Sequence, residues 1–211
     1  MSKKRAYDSS TRKESAEHTR AAILEAARGL FVKHGYAGTK MPAIAETAGV
    51  ALDTVYASVG KKPMLFRLLM ETAISGTAQV VPALERDYVR ELRAEPSAAK
   101  KLVMYARAIA RIQPRLAPLV RVLQFAAQED EGLSALWQTI AQRRAANMRG
   151  FAGELAATGD LRSDLSIDDI ADILWSMNAA EYYLLLVEQR GWSNERFEKW
   201  LGDAWQRLLL K

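Results

Sequence analysis

The chain has 211 residues, with 30 Lys and Arg, 25 Asp and Glu, and no cysteine. Without cysteine, a disulfide-stapled scaffold, a thiolate metal site and a thiol nucleophile are all excluded. Apolar residues make up 49% of the chain, enough to bury a large core. The apolar runs are far shorter than the roughly 18–20 residues that a membrane span needs. No apolar segment follows the basic N-terminus, so we expect neither an export signal nor a membrane partner.

The positive charge is concentrated in the first third of the chain. Residues 1–67 hold 12 Lys and Arg against six acids, whereas residues 68–211 hold 18 against 19. A basic module joined to a near-neutral one suggests a part that binds polyanions and a larger part that does not. Charge alone is equally compatible with a solvated basic tail that has no partner.

Apolar periodicity predicts helices throughout and no convincing strand, so the fold class is all-α. Residues 1–15 are polar and mostly aperiodic, which is typical of a flexible basic arm. In the N-terminal part, Gly35 ends the first helix, Thr39 is the expected cap of the second, and Gly60 ends the third. The four helices predicted here span residues 15–34, 41–48, 52–58 and 63–76.

Proline and glycine mark the helix boundaries in the rest of the chain. Pro96 and Pro114 each force the preceding residue out of the α region, so we expect helices to end before them. Ser166 and Ser193 precede acids and are typical helix caps. The six helices predicted for this part span residues 82–94, 97–112, 115–128, 132–158, 167–190 and 194–210.

The segment 39–66 contains two short helices joined by a tight glycine turn, which is the pattern of a helix-turn-helix. Ile44 places the first helix against a partner, Gly49 occupies the turn, and Val55 fills the angle between the helices. The second helix presents small or polar residues outward, so it can lie in a major groove about 12 Å wide. The outward residues are Ala51, Asp53, Thr54, Ala57 and Ser58.

This segment resembles the TetR family of helix-turn-helix transcriptional regulators. The resemblance covers about residues 16–67 and includes the helix that ends at Gly35-Tyr36. One departure is Ala51, which stands where the family often has a capping serine. The matching residues are Thr39, Ile44-Ala45, Ala48-Gly49-Val50, Thr54-Val55-Tyr56, Gly60 and Lys62.

The resemblance implies a domain organisation and a function. Residues 1–15 would be the arm, residues 16–67 a three-helix DNA-binding head, and residues 68–211 a helical body for dimerisation and ligand binding. The protein would be a sequence-specific regulator, expected to act as a ligand-responsive repressor and a homodimer on a palindromic operator. Its partners would be double-stranded DNA, a second copy of itself and a small-molecule effector, and its location cytoplasmic.

The DNA-contacting residues are carried over from the family pattern. Thr39, Lys40, Tyr56 and Lys62 would contact phosphates, with Lys62 aided by the helix N-terminus beside it. Tyr56 can instead be a core aromatic residue, and Lys62 a plain surface charge. The residues expected on the recognition helix, facing bases or the groove, are Asp53, Thr54 and Ser58.

The role of Asp53 can be interpreted in two ways. An acid in the groove is useful if it accepts a hydrogen bond from the cytosine amino group, which predicts a cytosine in the operator. The alternative is that Asp53 sits in the first helical turn and only interacts favourably with the helix dipole.

The body has more apolar surface in residues 167–210 than one buried stripe needs, so the last two helices are the expected homodimer contact. The family resemblance also implies an effector pocket among the middle helices, although any single residue there can be ordinary core. The predicted lining residues are Met104, Tyr105, Ile109, Leu123, Phe125, Trp137, Trp175, Asn178 and Tyr182.

Other functional classes have little support in the sequence. Only two histidines occur, both in the first helix, and no catalytic triad, metal-ligand spacing or phosphate-binding glycine loop is present. We therefore expect no enzyme, no cofactor and no metal. The remaining alternative is a helical protein-interaction module that has kept the fold but lost DNA binding.

Overall fold

A computed structural model describes residues 3–211, with side chains described from Lys13 onward. The described chain contains no strand, and an isolated bridge pairs Leu161 with Leu210. None of its helices is long and apolar enough to cross a membrane. The helices are α1 (Lys3–Gly38), α2 (Met41–Ala48), α3 (Leu52–Val59), α4 (Lys62–Ser75), α5 (Asp87–Ala94), α6 (Ala98–Ala126), α7 (Glu131–Ala156), α8 (Ile167–Met177), α9 (Ala180–Tyr183) and α10 (Asn194–Leu209), with a 3₁₀ turn at Ala83–Glu85 and a π-helical segment at Leu184–Gln189.

The N-terminal part, which we call the head, has a core shared by α1 to α4. Three aromatic rings join the ends of α1 and α4: Phe66 meets Phe31 edge-on at 5.0 Å and Tyr36 edge-on at 5.3 Å between centroids. Ile44 of α2 and Val55 of α3 are fully buried in the same core. Burying such side chains contributes roughly 1.5–3 kcal/mol each, so this core fixes how α2 and α3 are presented.

The remaining helices form the body, in which α6 is the central element. It packs against α1 and α4 of the head and against α5, α7, α9 and α10 of the body. In the body core Tyr105 of α6 stacks on Trp205 of α10 at 5.4 Å and meets Phe151 of α7 at 5.0 Å. Helix α6 therefore contacts both parts of the molecule.

The predicted start of the first helix was wrong. Helix α1 begins at Lys3 rather than near residue 15, although the side chains of residues 3–12 lie outside the described set. Extending an existing helix adds one hydrogen bond per ordered residue, and no Gly or Pro interrupts this segment. Gly35 does break the helix as predicted, with φ 71° and ψ 177°, and one further turn follows to Gly38.

The predicted break before Pro114 was also wrong, because α6 continues through both Pro114 and Pro118. Each proline removes one backbone donor from the helix. Apolar side chains on both sides of the prolines are buried, including Ile109 and Leu119. We infer that this burial on both sides outweighs the absence of the two hydrogen bonds.

Two other predicted helices are divided in the structure. The segment 82–94 contains the 3₁₀ turn and then α5, because Arg86 is extended (φ −69°, ψ 134°). The segment 167–190 breaks at Ala179, which is also extended (φ −65°, ψ 149°). The caps at Ser166 and Ser193 are confirmed, since each hydroxyl accepts the backbone N–H three residues on, and Ser166 forms a full capping box with Asp169.

Candidate functional site

The turn between α2 and α3 has the geometry that the sequence predicts. Gly49 is left-handed, with φ 67° and ψ 32°, and its N–H donates to the Glu46 carbonyl at 3.1 Å. The N–H of Val50 donates to Ala45 at 3.0 Å, so the last carbonyls of α2 are satisfied inside the turn. This turn sets the direction in which α3 leaves.

Helix α3 has one buried face and one exposed face. Val55 and Val59 point into the head core, while Asp53, Thr54 and Tyr56 are exposed. Ala51 provides no side-chain cap, so the first turn is held by backbone bonds from Thr54 and Val55 to the Ala51 carbonyl and by the favourable position of Asp53 at the positive end. The exposed face is short, polar and free of bulky aliphatic side chains.

Thr39 is 2% exposed, and its hydroxyl donates to the Gly35 carbonyl at 2.8 Å inside the head. Its contact with a phosphate stays a prediction. The prediction that Thr39 caps α2 was wrong, because the N-cap is Lys40, which has no side-chain cap. Lys40 is exposed at the start of α2.

Lys62 lies at the start of α4, with its ammonium nitrogen 4.4 Å from the centroid of the Tyr36 ring. Burial lowers the pKa of Lys62, while the Asp130 carboxylate of the body acts in the opposite direction. The same burial, assisted by Asp130, raises the pKa of Tyr36. The lysine is therefore held by an aromatic face beside a helix N-terminus, which is an arrangement suited to an anion.

Ser58 is half-buried near the end of α3, and its backbone carbonyl accepts a hydrogen bond from Arg20 of α1 at 2.5 Å. Sequence reasoning missed Arg20, because a single arginine on a solvent-facing helix has no distinguishing pattern. Its contact ties the C-terminal end of α3 to α1, so it positions the exposed face rather than forming part of it.

The structure brings together only part of the predicted pocket lining. Tyr105 and Asn178 are buried, and the Asn178 amide donates to the Tyr105 hydroxyl at 2.8 Å. Phe125 is 69% exposed, and it lines a shallow surface groove with Trp137. Tyr182 lies at the surface and stacks on Trp200. The other predicted residues, Met104, Ile109, Leu123 and Trp175, are buried or half-buried.

Sequence reasoning missed two polar residues in this region, Gln113 of α6 and Arg144 of α7. The Gln113 amide donates to the Asn178 backbone carbonyl at 2.8 Å, and Arg144 donates to the Asn178 side-chain oxygen at 2.6 Å. Neither residue stood out in the sequence, because Gln113 precedes a proline and Arg144 follows another arginine. Together with Tyr105 they make Asn178 the centre of a polar network in the body.

Comparison with known sequences identifies the head. Residues 23–67 match the family model described as bacterial regulatory proteins, tetR family. The chain is 42% identical over 60 residues to the HTH-type transcriptional regulator TtgR of Pseudomonas putida. That match spans 28% of this chain and 29% of TtgR, so it is confined to one part of each protein.

Comparison with solved structures covers nearly the whole chain and concerns the fold alone. The SmeT–triclosan complex superposes with a TM-score of 0.68 at 18% identity, covering 92% of each chain. NalD, described as the secondary repressor of the MexAB-OprM multidrug efflux pump in Pseudomonas aeruginosa, gives 0.68 at 20% identity over 93% of this chain and 98% of its own. The all-α architecture of a head and a helical body is shared with both.

Proposed function

We propose that the chain is a member of the tetR family and a sequence-specific DNA-binding transcriptional regulator, on the basis of the match of its residues 23–67 to that family's model. The head would bind the DNA and the body, residues 68–211, would control it. Residues 1–15 would add basic charge next to the duplex.

The observation that carries this proposal is the exposed face of α3 with a lysine on either side. Asp53, Thr54 and Tyr56 form the exposed part of a helix whose opposite face is locked into the head core. Lys40 and Lys62 stand at the starts of α2 and α4, where backbone N–H groups also favour anions. Polar side chains between two cationic points suit a groove flanked by phosphates.

We propose further that the protein acts as a homodimer on a palindromic operator. One recognition helix reads few base pairs, so two-fold pairing is the usual source of sufficient specificity. Most of the apolar residues on the last helices are used within the monomer, including Phe197, Leu201 and Trp205, which are fully buried. The apolar residues still exposed or half-buried there include Tyr182, Leu185, Trp200, Ala204 and Leu208, and this set, the dimer face, is the proposed contact.

We also propose that DNA binding is repressive and is weakened by a small molecule bound in the body. NalD is described as a repressor and SmeT has been solved with triclosan, so similar folds have carried both properties. In this chain the polar network around Asn178 gives the body a place for a ligand. The effector acts by its difference in affinity between the two states of the dimer.

Selection of DNA sites from a random duplex pool tests the proposal. We expect an enriched palindrome whose binding weakens steeply with salt, because several phosphates are neutralised per dimer. The Asp53→Ala variant should lose a cytosine preference in each half-site, worth about 1–3 kcal/mol, if the carboxylate accepts from cytosine. Glu46→Ala, an exposed acid on α2, is the matched control and should select the unaltered site.

Two results would count against the proposal. The absence of enrichment, together with no retained DNA at low salt, would contradict it and favour a protein-interaction module. If Asp53→Ala selects the same site as the unaltered protein, DNA binding stands and Asp53 serves only the dipole of α3.

A further inference from the structure

Arg144 on α7 is a half-buried cation without an acidic partner among the described side chains. The same terminal nitrogen donates both of its hydrogen bonds, one to the Trp175 carbonyl at 2.9 Å and one to the Asn178 side-chain oxygen at 2.6 Å. The guanidinium also lies 5.2 Å from the Trp175 ring. Burial lowers the pKa of Arg144, and the nearby charge of Glu181 opposes this from an exposed position.

The absence of a counter-ion is unusual because a buried charge is costly unless it is paired. The two neutral oxygens that accept hydrogen bonds from Arg144 offset the cost of burying its charge only in part. A guanidinium carries five N–H donors, and the second terminal nitrogen and Nε of Arg144 make no hydrogen bond to any described residue. Each fork of a guanidinium that binds both oxygens of a carboxylate includes this occupied terminal nitrogen, so a carboxylate held in a fork must replace one of its present neutral partners.

Two buried polar atoms beside Arg144 also lack partners. The indole N–H of Trp175, the ring that Arg144 covers, donates to no described group. The side-chain oxygen of Gln113 is likewise unpaired, although its amide nitrogen donates to the Asn178 backbone. Gln113 is only 2% exposed, so this oxygen has no access to bulk water. Unpaired donors and an unpaired acceptor therefore surround Asn178 from α6, α7 and α8.

The surroundings of this cluster are apolar and aromatic. Tyr105 contacts the Met148 sulfur at 3.4 Å, and the Asn178 amide contacts it at 3.0 Å. Phe151 and Trp205 pack on the ring of Tyr105. A ligand in such a site buries apolar surface and has its orientation fixed by a few polar contacts.

We propose that Arg144 is the anchor of the effector site and that the effector is an apolar molecule carrying one carboxylate. This rests on the proposed function, because it assigns the ligand class of the body. The carboxylate takes one fork of Arg144, formed by a free donor and the terminal nitrogen that now donates to Asn178, with the Trp175 N–H as an additional donor. Arg144 then exchanges its neutral partner Asn178 for an anion.

Calorimetric titration of the full chain with acid and amide pairs tests the assignment. The probes are benzoate, 1-naphthoate and decanoate, each compared with its neutral amide. We expect at least one acid to bind at least tenfold more tightly than its amide. Arg144→Met should abolish that preference, and Arg144→Lys should reduce it because the fork is lost. Arg149→Met, a change of an exposed arginine on the same helix, should leave it intact.

Equal binding of every acid and its amide, or no binding of any acid, would overturn the assignment. So would an Arg144→Met variant that keeps the preference while its circular dichroism matches the unaltered protein. If Arg144→Met does not fold, Arg144→Lys and the comparison of acid with amide on the unaltered chain decide the question. DNA-site selection without any probe separates the two proposals, since its success with failed acid binding removes only the ligand class.

Discussion

The ammonium group of Lys62 occupies a position in which three effects meet. It rests on the Tyr36 ring at 4.4 Å, it stands at the first residue of α4, and the Asp130 carboxylate acts on it from the body. The aromatic contact limits the positions open to a long flexible side chain. Less conformational freedom is then lost when a phosphate binds.

Replacing Lys62 by alanine should weaken binding to every DNA sequence while leaving the selected site unchanged, because a phosphate contact carries no base information. The slope of log affinity against log salt should become shallower by about 0.9 for each phosphate that the variant no longer neutralises. Fluorescence anisotropy over a series of salt concentrations measures both quantities. Lys100→Ala, which removes an exposed lysine at the start of α6 in the body, should change neither. A salt slope identical to that of the unaltered protein would remove Lys62 from the residues that bind DNA.

The sequence predicted the positions of some residues of the candidate site and missed others. Lys40, Asp53, Thr54 and Tyr56 were placed correctly at the surface of the head, because the alternation of apolar and polar positions determines which face of a short helix is buried. The burial of Thr39 was not predicted, since whether a hydroxyl bonds to solvent or to a carbonyl depends on the break at Gly35. Arg144 and Gln113 were missed because a buried polar network depends on which helices meet, and spacing along the chain does not specify this.

At the scale of the elements, two glycines allow the effect of backbone conformation on stability to be separated from the effect of available space. Gly29 lies within α1 and Gly49 lies in the left-handed turn, and a Cβ added at either would meet nothing within 4 Å. A side chain would therefore cause no clash at either position. The backbone is helical at Gly29 and left-handed at Gly49.

Gly29→Ala should raise the free energy of unfolding by about 0.5–1 kcal/mol, because glycine is the more flexible residue inside a helix. Gly49→Ala should lower it by about 1–2 kcal/mol, because a side chain disfavours the left-handed conformation. Urea denaturation followed by circular dichroism measures both changes. Stabilisation by both substitutions would show that the turn does not require its positive φ.

The junction of head and body depends on Glu71 of α4, whose side chain is 13% exposed. Its carboxylate lies 2.7 Å from Arg143 of α7 and 4.0 Å from Arg86. Arg115 of α6 also donates to the Ala73 carbonyl near the end of α4, at 3.1 Å. The helix that begins at Lys62 is thus fixed to the body at its C-terminal half, and Arg143 is the chain neighbour of Arg144.

Glu71→Gln should destabilise the protein by about 1.5–3 kcal/mol, because it removes the acid that faces Arg143 and the little-exposed Arg86. The more exposed Glu154, paired with Arg93, provides the control, and Glu154→Gln should cost no more than about 1 kcal/mol. Urea unfolding measures both. Combining Glu71→Gln with Arg143→Gln should give a non-additive change if the two side chains interact. Strict additivity would contradict a direct link through this pair.

Helix boundaries were predicted best where glycine sets them. The segment 41–48 coincides with α2, 52–58 is one residue shorter than α3, and 63–76 is shifted by one residue from α4. The prediction failed at Pro114 and at Ala179 for opposite reasons. Helix α6 continues through Pro114, which disfavours helix, because its neighbouring side chains are packed in the core. Nothing in the local sequence marks the extended Ala179.

At the scale of the whole molecule, the proposed dimer face lies where the π-helical segment meets α10. Tyr182 and Trp200 stack at 6.1 Å between ring centroids, and Leu185 is 50% exposed. On α10, Trp200, Ala204 and Leu208 recur every four residues and share one side of the helix. Neighbouring polar residues such as Lys199 and Asp203 flank this strip.

Leu185→Asp should convert the dimer into a monomer, because two carboxylates would be buried in a two-fold contact. Analytical ultracentrifugation at several protein concentrations measures the change, and affinity for the palindromic site should fall with it. Leu84→Asp is a matched control, since Leu84 is 61% exposed and lies in the 3₁₀ turn outside the dimer face. Dimerisation that survives Leu185→Asp would place the contact elsewhere.

The pairing of α6 with α10 has a consequence for how the protein is made on the ribosome. Helix α10 packs more extensively against α6 than any other helix does, yet α7, α8 and α9 separate the two in the chain. The contacts among α1 to α4 do not need α10, so the head can begin to form before α10 has emerged. Until α10 follows, the apolar side of α6 that receives Trp205 stays uncovered. During synthesis the head is therefore joined to a body whose core stays incomplete until the last helix has emerged.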